Sequence, residues 1–390
     1  MNSLYLHIPF CSKICPFCSF TVRRDRPSLH KKYILGLIKE IERRAIWIQE
    51  GRQNKNLPRQ KLLKSIYFGG GTPSRLRISD VEDLLSEIKY YFPFSNQTEI
   101  SFEMNPEDVN SEYLSGLHDI GVNRVSLGGQ SFQSNTLREL GRIHSVSRLR
   151  KALKSIVQSR INNWNLDLIF GVQKQSIKMF KRDVEEALSY NPPHISLYGL
   201  EIHKKTSFGK NSQIYKWCQD HKSQFEVMYL WGKERLEKDG LFQYEISNFA
   251  KKNKKGINNL MVWSGNEYLG LGIGAHSYLR RTRWGNNRSL KTYIKNIEEN
   301  VWPVDFEEPI QMCEMATEFL MLNLRQNSGL NIDKWQKKFD IRWENHQYDF
   351  IKMLCDSGRA FWKDKKLCLT AKGMLVADKI TVELMCQGHS

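Results

Sequence analysis

Three cysteines, Cys11, Cys15 and Cys18, lie within eight residues near the start of the chain. They directly follow the apolar run at residues 4–8, which predicts a strand, so all three belong to one loop at the end of that strand. Thiolates at this density bind a soft metal or an iron–sulfur cluster, because cluster iron is held by cysteine sulfur. The spacing therefore predicts a [4Fe-4S] cluster in which one iron is open to a group that is not protein.

Three other interpretations of these cysteines stay open. A structural zinc site usually has four protein ligands in paired short spacings, and no second C-x-x-C or H-x-x-x-H pair follows. A disulfide framework is typical of small secreted domains rather than of a chain of 390 residues. Buried structural cysteines would not need a loop flanked by Pro9 and Pro16. The other cysteines are scattered and predict no second site: Cys218, Cys313, Cys355, Cys368 and Cys386.

Polar residues also lie in or directly after the other predicted strands. In the run GGGTPS at residues 69–74, glycines let backbone N–H groups approach an anion, and the missing G-K-[ST] ending favours a carboxylate over a nucleoside triphosphate. Glu103 could accept hydrogen bonds from ribose hydroxyls, and Gln130, Arg142 and Asp167 add polar groups. Taken singly, these residues are also typical of a tight turn, a helix cap or a surface charge. Together with an open iron they predict S-adenosylmethionine, whose amino and carboxylate groups could chelate that iron.

The elements that must hold these residues alternate along the chain. Short apolar runs predict strands at residues 4–8, 65–68, 99–103, 124–127, 165–170 and 194–198. Helical spacing predicts helices at 29–47, 79–91, 111–120, between 135 and 159, and at 176–190, and the polar run 51–61 predicts an exposed loop. Such alternation is typical of parallel sheets built from right-handed βαβ units, where ligands bind at the carboxyl ends of the strands. The sequence therefore predicts an α/β fold, a partial (β/α)6 barrel with its chemistry at one mouth.

Beyond the sixth strand the pattern changes. Helices are predicted at 312–324, 332–339 and 343–355, and a strand pair followed by a helix within 360–377. We predict a core barrel at residues 1–203, an extension with a glycine-rich segment at 204–304, and a C-terminal domain at 305–390 that is helical or winged-helix-like.

Composition limits the location and the partners. No apolar run reaches the roughly 18 residues of a transmembrane helix, and the N-terminus enters a strand almost at once, so a cytoplasmic protein is expected. The net charge of +17 is compatible with nucleic acid, an anionic membrane surface or an anionic small molecule. The basic run at residues 251–255 has no interleaved aromatic residues, which argues against nucleic acid. Peripheral contact with an anionic membrane stays possible.

Seven motifs carry a resemblance to a known family: YLHIPFCSKICPFCSF, YFGGGTPS, FEMNPED, NRVSLGGQSF, DLIFG, YEISNFA and YLGLGIGAHS. The sequence resembles the radical S-adenosylmethionine (radical SAM) superfamily and, within it, the oxygen-independent coproporphyrinogen III oxidase family. The resemblance implies that Cys11, Cys15 and Cys18 bind the cluster. It also implies that the cofactor is bound by Tyr5, Phe17, Gly70, Gly71, Thr72, Glu103, Gln130, Arg142 and Asp167.

Two features indicate the branch of that family. The oxidase branch has a longer N-terminal arm and a further cysteine two residues after the third, whereas here four residues precede Tyr5 and position 20 is Phe20. Both features resemble the heme-chaperone, HemW-like branch, which is thought to bind heme and pass it to acceptor proteins. The resemblance therefore implies heme as ligand and a heme-acceptor protein as partner. The alternative is a radical SAM enzyme that oxidatively decarboxylates the propionates of a porphyrinogen.

The heme-binding motif of that branch is altered. The branch typically carries His-Asn-x-x-Tyr-Trp, but in the corresponding residues 258–263 the histidine is replaced by Asn258 and the tyrosine by Val262. An amide is a poor iron ligand compared with imidazole. Other candidate axial ligands are His276, His7 and His144.

Overall fold

The computed structural model describes residues 1–53 and 62–385, so Cys386 and most of the predicted loop at 51–61 lie outside the described residues. Its strands are β1 Ser3–Ile8, β2 Phe10–Cys11, β3 Arg23–Arg24, β4 Leu63–Gly70, β5 Phe94–Met104, β6 Arg124–Gln130, β7 Trp164–Phe170, β8 His194–Gly199, β9 Phe242–Gln243, β10 Asn248–Ala250, β11 Tyr268–Leu271, β12 His276–Leu279, β13 Thr282–Asn286, β14 Val304–Pro309, β15 Ala360–Lys363 and β16 Lys366–Leu369. Its helices are α1 Pro27–Gln53, α2 Ile78–Tyr91, α3 Ser111–Asp119, α4 Ser134–Glu139, α5 Val146–Val157, α6 Ile177–Ser189, α7 Ser212–Asp220, α8 Lys222–Lys238, α9 Ile257–Trp263, α10 Leu290–Glu298, α11 Met312–Leu324, α12 Ile332–Phe339, α13 Asn345–Asp356, α14 Ala371–Met374 and α15 Ala377–Met385.

The strands of the barrel belong to a sheet that has 12 strands in the described part of the chain, ordered β14-β13-β12-β11-β1-β4-β5-β6-β7-β8-β10-β9. Its central strands β1 and β4 to β8 pair in parallel, and the chain passes through helices between β1 and β8. This arrangement confirms the predicted partial (β/α)6 barrel. β11 extends the sheet in parallel beside β1, while β12 to β14 and, at the other edge, β10 and β9 add antiparallel strands.

Polar and apolar side chains alternate along the barrel strands. On β1, Leu4 and Leu6 are fully buried in the main hydrophobic core, whereas Ser3, Tyr5 and His7 occupy the opposite face. Other polar residues at alternate positions of the barrel strands are Ser65, Tyr67, Glu103, Ser126, Asp167 and Ser196. Parallel strands are usually apolar on both faces because helices cover both. The alternation therefore marks the barrel interior as a polar site rather than as packed core.

A second hydrophobic core lies in the C-terminal region, where α11 to α15 pack with the β15–β16 hairpin around Leu320, Trp335 and Leu367. This region contacts the barrel extension through Gln326, whose Nε2 donates to the carbonyl oxygen of Trp263 over 2.8 Å. β14 begins at Val304 and pairs with β13 in the large sheet. It therefore lies across the boundary predicted between residues 304 and 305. The division into three regions stays a prediction.

The glycine-rich segment after β11 is fixed to α1 by one buried carboxylate. Glu40 accepts hydrogen bonds from the Gly272 N–H (2.8 Å), the Asn286 side-chain amide (2.7 Å) and the Tyr293 hydroxyl (2.7 Å). Burial raises the pKa of Glu40, and these donors with nearby Arg44 oppose the rise. The network positions the turn between β11 and β12, and His276 is the first residue of β12. In the described residues, no helix has the length and apolar character needed to span a bilayer.

Candidate cluster and cofactor site

The three cysteines lie in β2 and the loop that joins it to β3, at the carboxyl end of β1. The Asp25 N–H donates to the carbonyl oxygen of Cys11 over 2.9 Å, and the Cys18 N–H donates to that of Cys15 over 3.1 Å, so the loop folds back on itself. Burial, and to a smaller extent the neighbouring thiols of Cys18 and Cys15, raise the pKa of Cys11 to about 11, against a hydrogen bond from Thr72. The loop therefore brings the thiols close enough to interact.

These cysteines can serve a cluster but not a single ion. All three are free thiols. In residues 1–53 and 62–385, no three His, Cys, Asp or Glu side chains converge on the position of one metal ion. A [4Fe-4S] cluster does not need that convergence, because each cysteine thiolate binds a different iron. The zinc alternative lacks its ligand set in the described residues.

Two polar side chains support the cysteine sulfurs. Thr72 Oγ1 donates to Cys11 Sγ over 3.5 Å, and Arg142 Nη1 donates to Cys15 Sγ over 3.5 Å. Asn105 joins the two supports, since its Nδ2 donates to Thr72 Oγ1 (3.0 Å) and its Oδ1 accepts from Arg142 Nη2 (2.5 Å). These two donors therefore fix the positions of two of the three sulfurs expected to bind iron.

A chain of ion pairs beneath these supports fixes the loops to each other. Arg75 donates to Asp108 over 2.7 Å and to Asp25 over 2.8 Å. Ser74 Oγ donates to the other oxygen of Asp108 (2.8 Å), and His30 Nε2 contacts the other oxygen of Asp25 (2.6 Å). Because Asp25 is bonded to the cysteine loop and Ser74 ends the GGGTPS run, the two loops form one unit.

The N–H groups of two glycines in the GGGTPS loop already have protein acceptors. The Gly70 N–H donates to Glu103 Oε2 (3.1 Å), and the Gly71 N–H donates to the carbonyl oxygen of Ile8 (2.8 Å). Gly70 has φ +111°, and a Cβ there would lie 2.5 Å from Cε1 of His7. Glycine is therefore required for close packing of the loop on β1 and Glu103. A ligand carboxylate would have to compete with these acceptors for both N–H groups.

Two acids of the barrel interior, Glu103 and Asp167, have no ion-pair partner in the part of the chain that the structure describes. The pKa of Glu103 is raised to about 7, because burial and the charge of Asp167 together outweigh the hydrogen bonds from the Tyr67 hydroxyl (2.8 Å) and the Gly70 N–H. Burial also raises the pKa of Asp167, although Asn165 donates to it over 2.7 Å. A carboxylate has about four acceptor positions, so both acids can still accept hydrogen bonds. This environment suits a cationic ligand with hydroxyl groups.

The other predicted cofactor residues leave polar atoms without partners. Gln130 ends β6 in the left-handed region at φ 66°, and its buried Oε1 has no hydrogen-bond partner among the described residues; the same holds for Arg142 Nε. Unpaired buried polar atoms are rare and costly, which indicates a polar ligand at the mouth. Tyr5 forms a hydrogen bond of 3.1 Å with His7 Nδ1, and Phe17 packs on a small apolar cluster beside Phe208.

A cavity of about 320 Å³ adjoins this mouth. It lies between the cysteine loop, α9 and β12, and its lining includes Tyr5, Phe20, Asn258, Val262, His276 and Arg288. Phe20 is 67% exposed and Val262 37% exposed, so apolar surface faces solvent there. The volume lies within the roughly 300–1,000 Å³ typical of small-molecule sites.

Comparisons with known proteins agree on the family. Residues 5–187 match the model of the Radical SAM superfamily. The chain is 30% identical over 381 residues to heme chaperone HemW of Bacillus subtilis (strain 168), spanning 97% of this chain and 98% of that protein. It is 32% identical over 291 residues to heme chaperone HemW of Escherichia coli (strain K12), spanning 74% and 72% of the two chains. The chain belongs to the HemW and HemN family of radical SAM proteins.

The fold agrees with this family. The solved structure of coproporphyrinogen III oxidase (HemN) from Escherichia coli, a radical SAM enzyme, superposes with a TM-score of 0.81 at 21% identity and covers 98% of this chain and 89% of that chain. Membership of the radical SAM superfamily implies a [4Fe-4S] cluster and S-adenosylmethionine. The donor set described above fits both groups, since it combines three free thiols with uncompensated acids that can face a sulfonium or an ammonium group.

Sequence reasoning missed Asn105, which in this family member links the supports of two cysteines. The signal was present in the FEMNPED motif, because Asn105 follows Glu103 by two residues, a spacing that puts both on one face of a strand. The ion pairs of Arg75 with Asp25 and Asp108 were missed as well, since each joins residues that are far apart in the sequence.

Proposed function

We propose that this protein is a heme chaperone that binds a [4Fe-4S] cluster and S-adenosylmethionine at the barrel mouth and heme in the adjoining cavity, and that passes the heme to an acceptor protein. The observation that carries the proposal is the lining of the cavity. Phe20, Asn258 and Val262 line it, and these are the positions that distinguish the heme-chaperone branch or its heme motif. The proteins of Bacillus subtilis and Escherichia coli that resemble 97% and 74% of this chain are named heme chaperones.

In this proposal Cys11, Cys15 and Cys18 bind three irons of the cluster. Thr72 and Arg142 donate hydrogen bonds of 3.5 Å to the sulfurs of Cys11 and Cys15, which orient these two ligands for the cluster. A bound and reduced cluster would supply the electron for reductive cleavage of S-adenosylmethionine.

The remaining residues hold the cofactor. Glu103 and Asp167 face its cationic and hydroxyl groups, and Gln130 Oε1 and Arg142 Nε, which have no partner among the described residues, gain one when it binds. Tyr5 closes the side next to the cavity and Phe17 supplies apolar surface. Gly70 and Gly71 allow the loop that carries Thr72 to approach β1.

The cavity suits a flat, largely apolar molecule with anionic groups. Phe20 and Val262 offer apolar surface, and Arg288 offers a positive charge for a carboxylate. A porphyrin with propionates has this chemistry. The acceptor protein, contact with an anionic membrane and a cytoplasmic location stay predictions.

The test is a heme titration of anaerobically purified full-length protein with its cluster assembled. The proposal predicts a saturable Soret band at one heme per chain, with the iron–sulfur absorption retained. It also predicts that the heme moves to an apo acceptor protein on mixing. Absence of a Soret shift at stoichiometric heme would contradict it.

One observation favours a second function, oxidative decarboxylation of a porphyrinogen. All residues expected to bind the cluster and the cofactor are present, and the fold is that of HemN. A radical enzyme would use the same cavity for its substrate. This alternative predicts 5′-deoxyadenosine and decarboxylated product when reduced protein is incubated anaerobically with S-adenosylmethionine and coproporphyrinogen. Finding neither product rules it out.

A further inference from the structure

Asn258, which replaces the histidine of the heme-binding motif, forms hydrogen bonds within the protein. Asn258 Oδ1 accepts hydrogen bonds from Ser3 Oγ (2.8 Å) and Ser65 Oγ (3.4 Å), which attach α9 to β1 and β4. The carboxylate of Glu99 accepts from the N–H groups of Ile257 and Asn258 (2.9 and 3.3 Å), which fixes the same end of α9. The amide oxygen of Asn258 is therefore a structural acceptor, and any axial ligand must come from another residue.

Two of the candidate histidines are engaged as well. His7 Nε2 donates to the carbonyl oxygen of Thr21 (2.7 Å), so its Nδ1 accepts from the Tyr5 hydroxyl (3.1 Å), and neither nitrogen is left for iron. Burial lowers the pKa of His7 to about 4, which agrees with a neutral ring. His144 is 6% exposed, and its Nε2 contacts the carbonyl oxygen of Gly129 over 3.2 Å. His7 therefore offers no nitrogen to iron in the cavity, and His144 is buried and does not line the cavity.

His276 is different from both. It lines the cavity from β12 and is exposed, and neither of its ring nitrogens has a hydrogen-bond partner in residues 1–53 and 62–385. Its ring packs edge-on against Phe306, with the ring centroids 5.4 Å apart, which orients it without using a nitrogen. Burial, with the charges of Arg288 and Arg283, lowers the pKa of His276, which favours the neutral ring. A neutral imidazole nitrogen has the lone pair that a heme iron accepts.

We infer that His276 is the axial ligand of heme in this chain and that Arg288 pairs with a heme propionate. The inference rests on the proposed heme-chaperone function and adds its ligand. Coordination transfers no electron and needs no co-reactant, because the imidazole nitrogen shares its lone pair with the iron. The ligand thus comes from β12, whereas Asn258 lies on α9 and attaches that helix to β1 and β4.

The experiment compares full-length, cluster-loaded protein with the variants His276→Ala, His276→Cys and Arg288→Ala in anaerobic heme titrations. His118→Ala is the matched control, because His118 lies on α3 and does not line the cavity. Loss of a residue that only supports a metal ligand typically weakens metal binding about 10–100-fold, so His276→Ala should weaken heme binding at least about tenfold and shift the Soret band. Arg288→Ala should weaken it by roughly two- to fivefold, as exposed ion pairs do. The control should bind like the natural sequence.

Two further readouts separate ligation from a structural role. Added imidazole should restore the Soret band of His276→Ala, and His276→Cys should give the spectrum of a thiolate-ligated heme. If the unaltered protein binds heme but His276→Ala keeps its affinity and spectrum, the inference is wrong and the proposed function stands. The inference is also wrong if imidazole restores nothing and His276→Cys keeps the unaltered spectrum. If the unaltered protein does not bind heme, the proposed function fails, and the inference fails with it.

Discussion

Asn105→Ala tests the account of how the cysteine loop is held. Asn105 is the one side chain described above that bonds to both Thr72 and Arg142, and each of these bonds to one cysteine sulfur. Alanine removes both links, so the Thr72 hydroxyl keeps its bond to Cys11, and the Arg142 guanidinium keeps its bonds to Cys15 and to the carbonyl oxygen of Gly128. We expect the fold to persist and the cluster to be bound more weakly.

The magnitude follows from the two lost hydrogen bonds. The bond to the Arg142 guanidinium is charge-assisted, worth about 1.5–3 kcal/mol, and the bond to the Thr72 hydroxyl is neutral, worth about 0.5–1.5 kcal/mol. Arg142 keeps its bond of 3.1 Å to the carbonyl oxygen of Gly128, so part of the loss is recovered. A net loss of about 2–3 kcal/mol weakens cluster binding about 30- to 150-fold.

The assay is retention of iron and acid-labile sulfide after anaerobic cluster assembly, followed over time with an iron chelator. Asn110→Ala is the matched control: its side chain caps α3 by accepting from the Tyr113 N–H (2.8 Å), and losing a cap costs about 1 kcal/mol of stability without touching the site. We expect Asn105→Ala to lose iron much faster than Asn110→Ala. Equal retention in Asn105→Ala and the unaltered protein would refute the reasoning.

Two further predictions concern stability. Burial raises the pKa of Glu245 from 4.5 to about 7. Between these two pH values the folded chain keeps a proton that the unfolded chain releases. The free energy of unfolding therefore falls as the pH rises, by up to about 3 kcal/mol in total. In urea unfolding, the free energy of unfolding of Glu245→Gln should therefore rise relative to that of the unaltered protein between pH 5 and pH 8. The same pH dependence in both proteins would contradict this. Gly70→Ala should lower the free energy of unfolding by about 2 kcal/mol more than Gly240→Ala in the same assay. Both glycines have positive φ, but only a Cβ at Gly70 would lie within 4 Å of another residue's side chain. Equal losses would show that the His7 side chain can move away at little cost.

The barrel could be predicted from the sequence because its signals are local. Each of its strands is a short apolar run, and most of its helices have a clear period, so the order of elements determines the parallel sheet. The extension of the sheet could not be predicted in this way. β11 pairs with β1, and Ser3 lies opposite Tyr268, so the partner of each strand is far away in the sequence. The predicted loop at 51–61 is helical as far as Gln53, because α1 continues beyond the apolar residues that marked it.

The sequence predicts residues for the candidate site but not the contacts between them. Cysteine spacing and polar residues after strands led to Cys11, Glu103 and Asp167. The sequence could not show that the N–H groups of Gly70 and Gly71 have protein acceptors, since those contacts depend on how the loop packs. Nor could it rank His7, His144 and His276, because the partners of each ring are set by the tertiary structure.

The most direct test of the central claim is the anaerobic heme titration of cluster-loaded protein, monitored at the Soret band and at the iron–sulfur absorption together. The account predicts saturation at one heme per chain, with the cluster retained and with a spectrum that changes in His276→Ala. No Soret shift at stoichiometric heme, combined with production of 5′-deoxyadenosine and decarboxylated porphyrinogen by the same preparation, would contradict it and identify the protein as an oxidase.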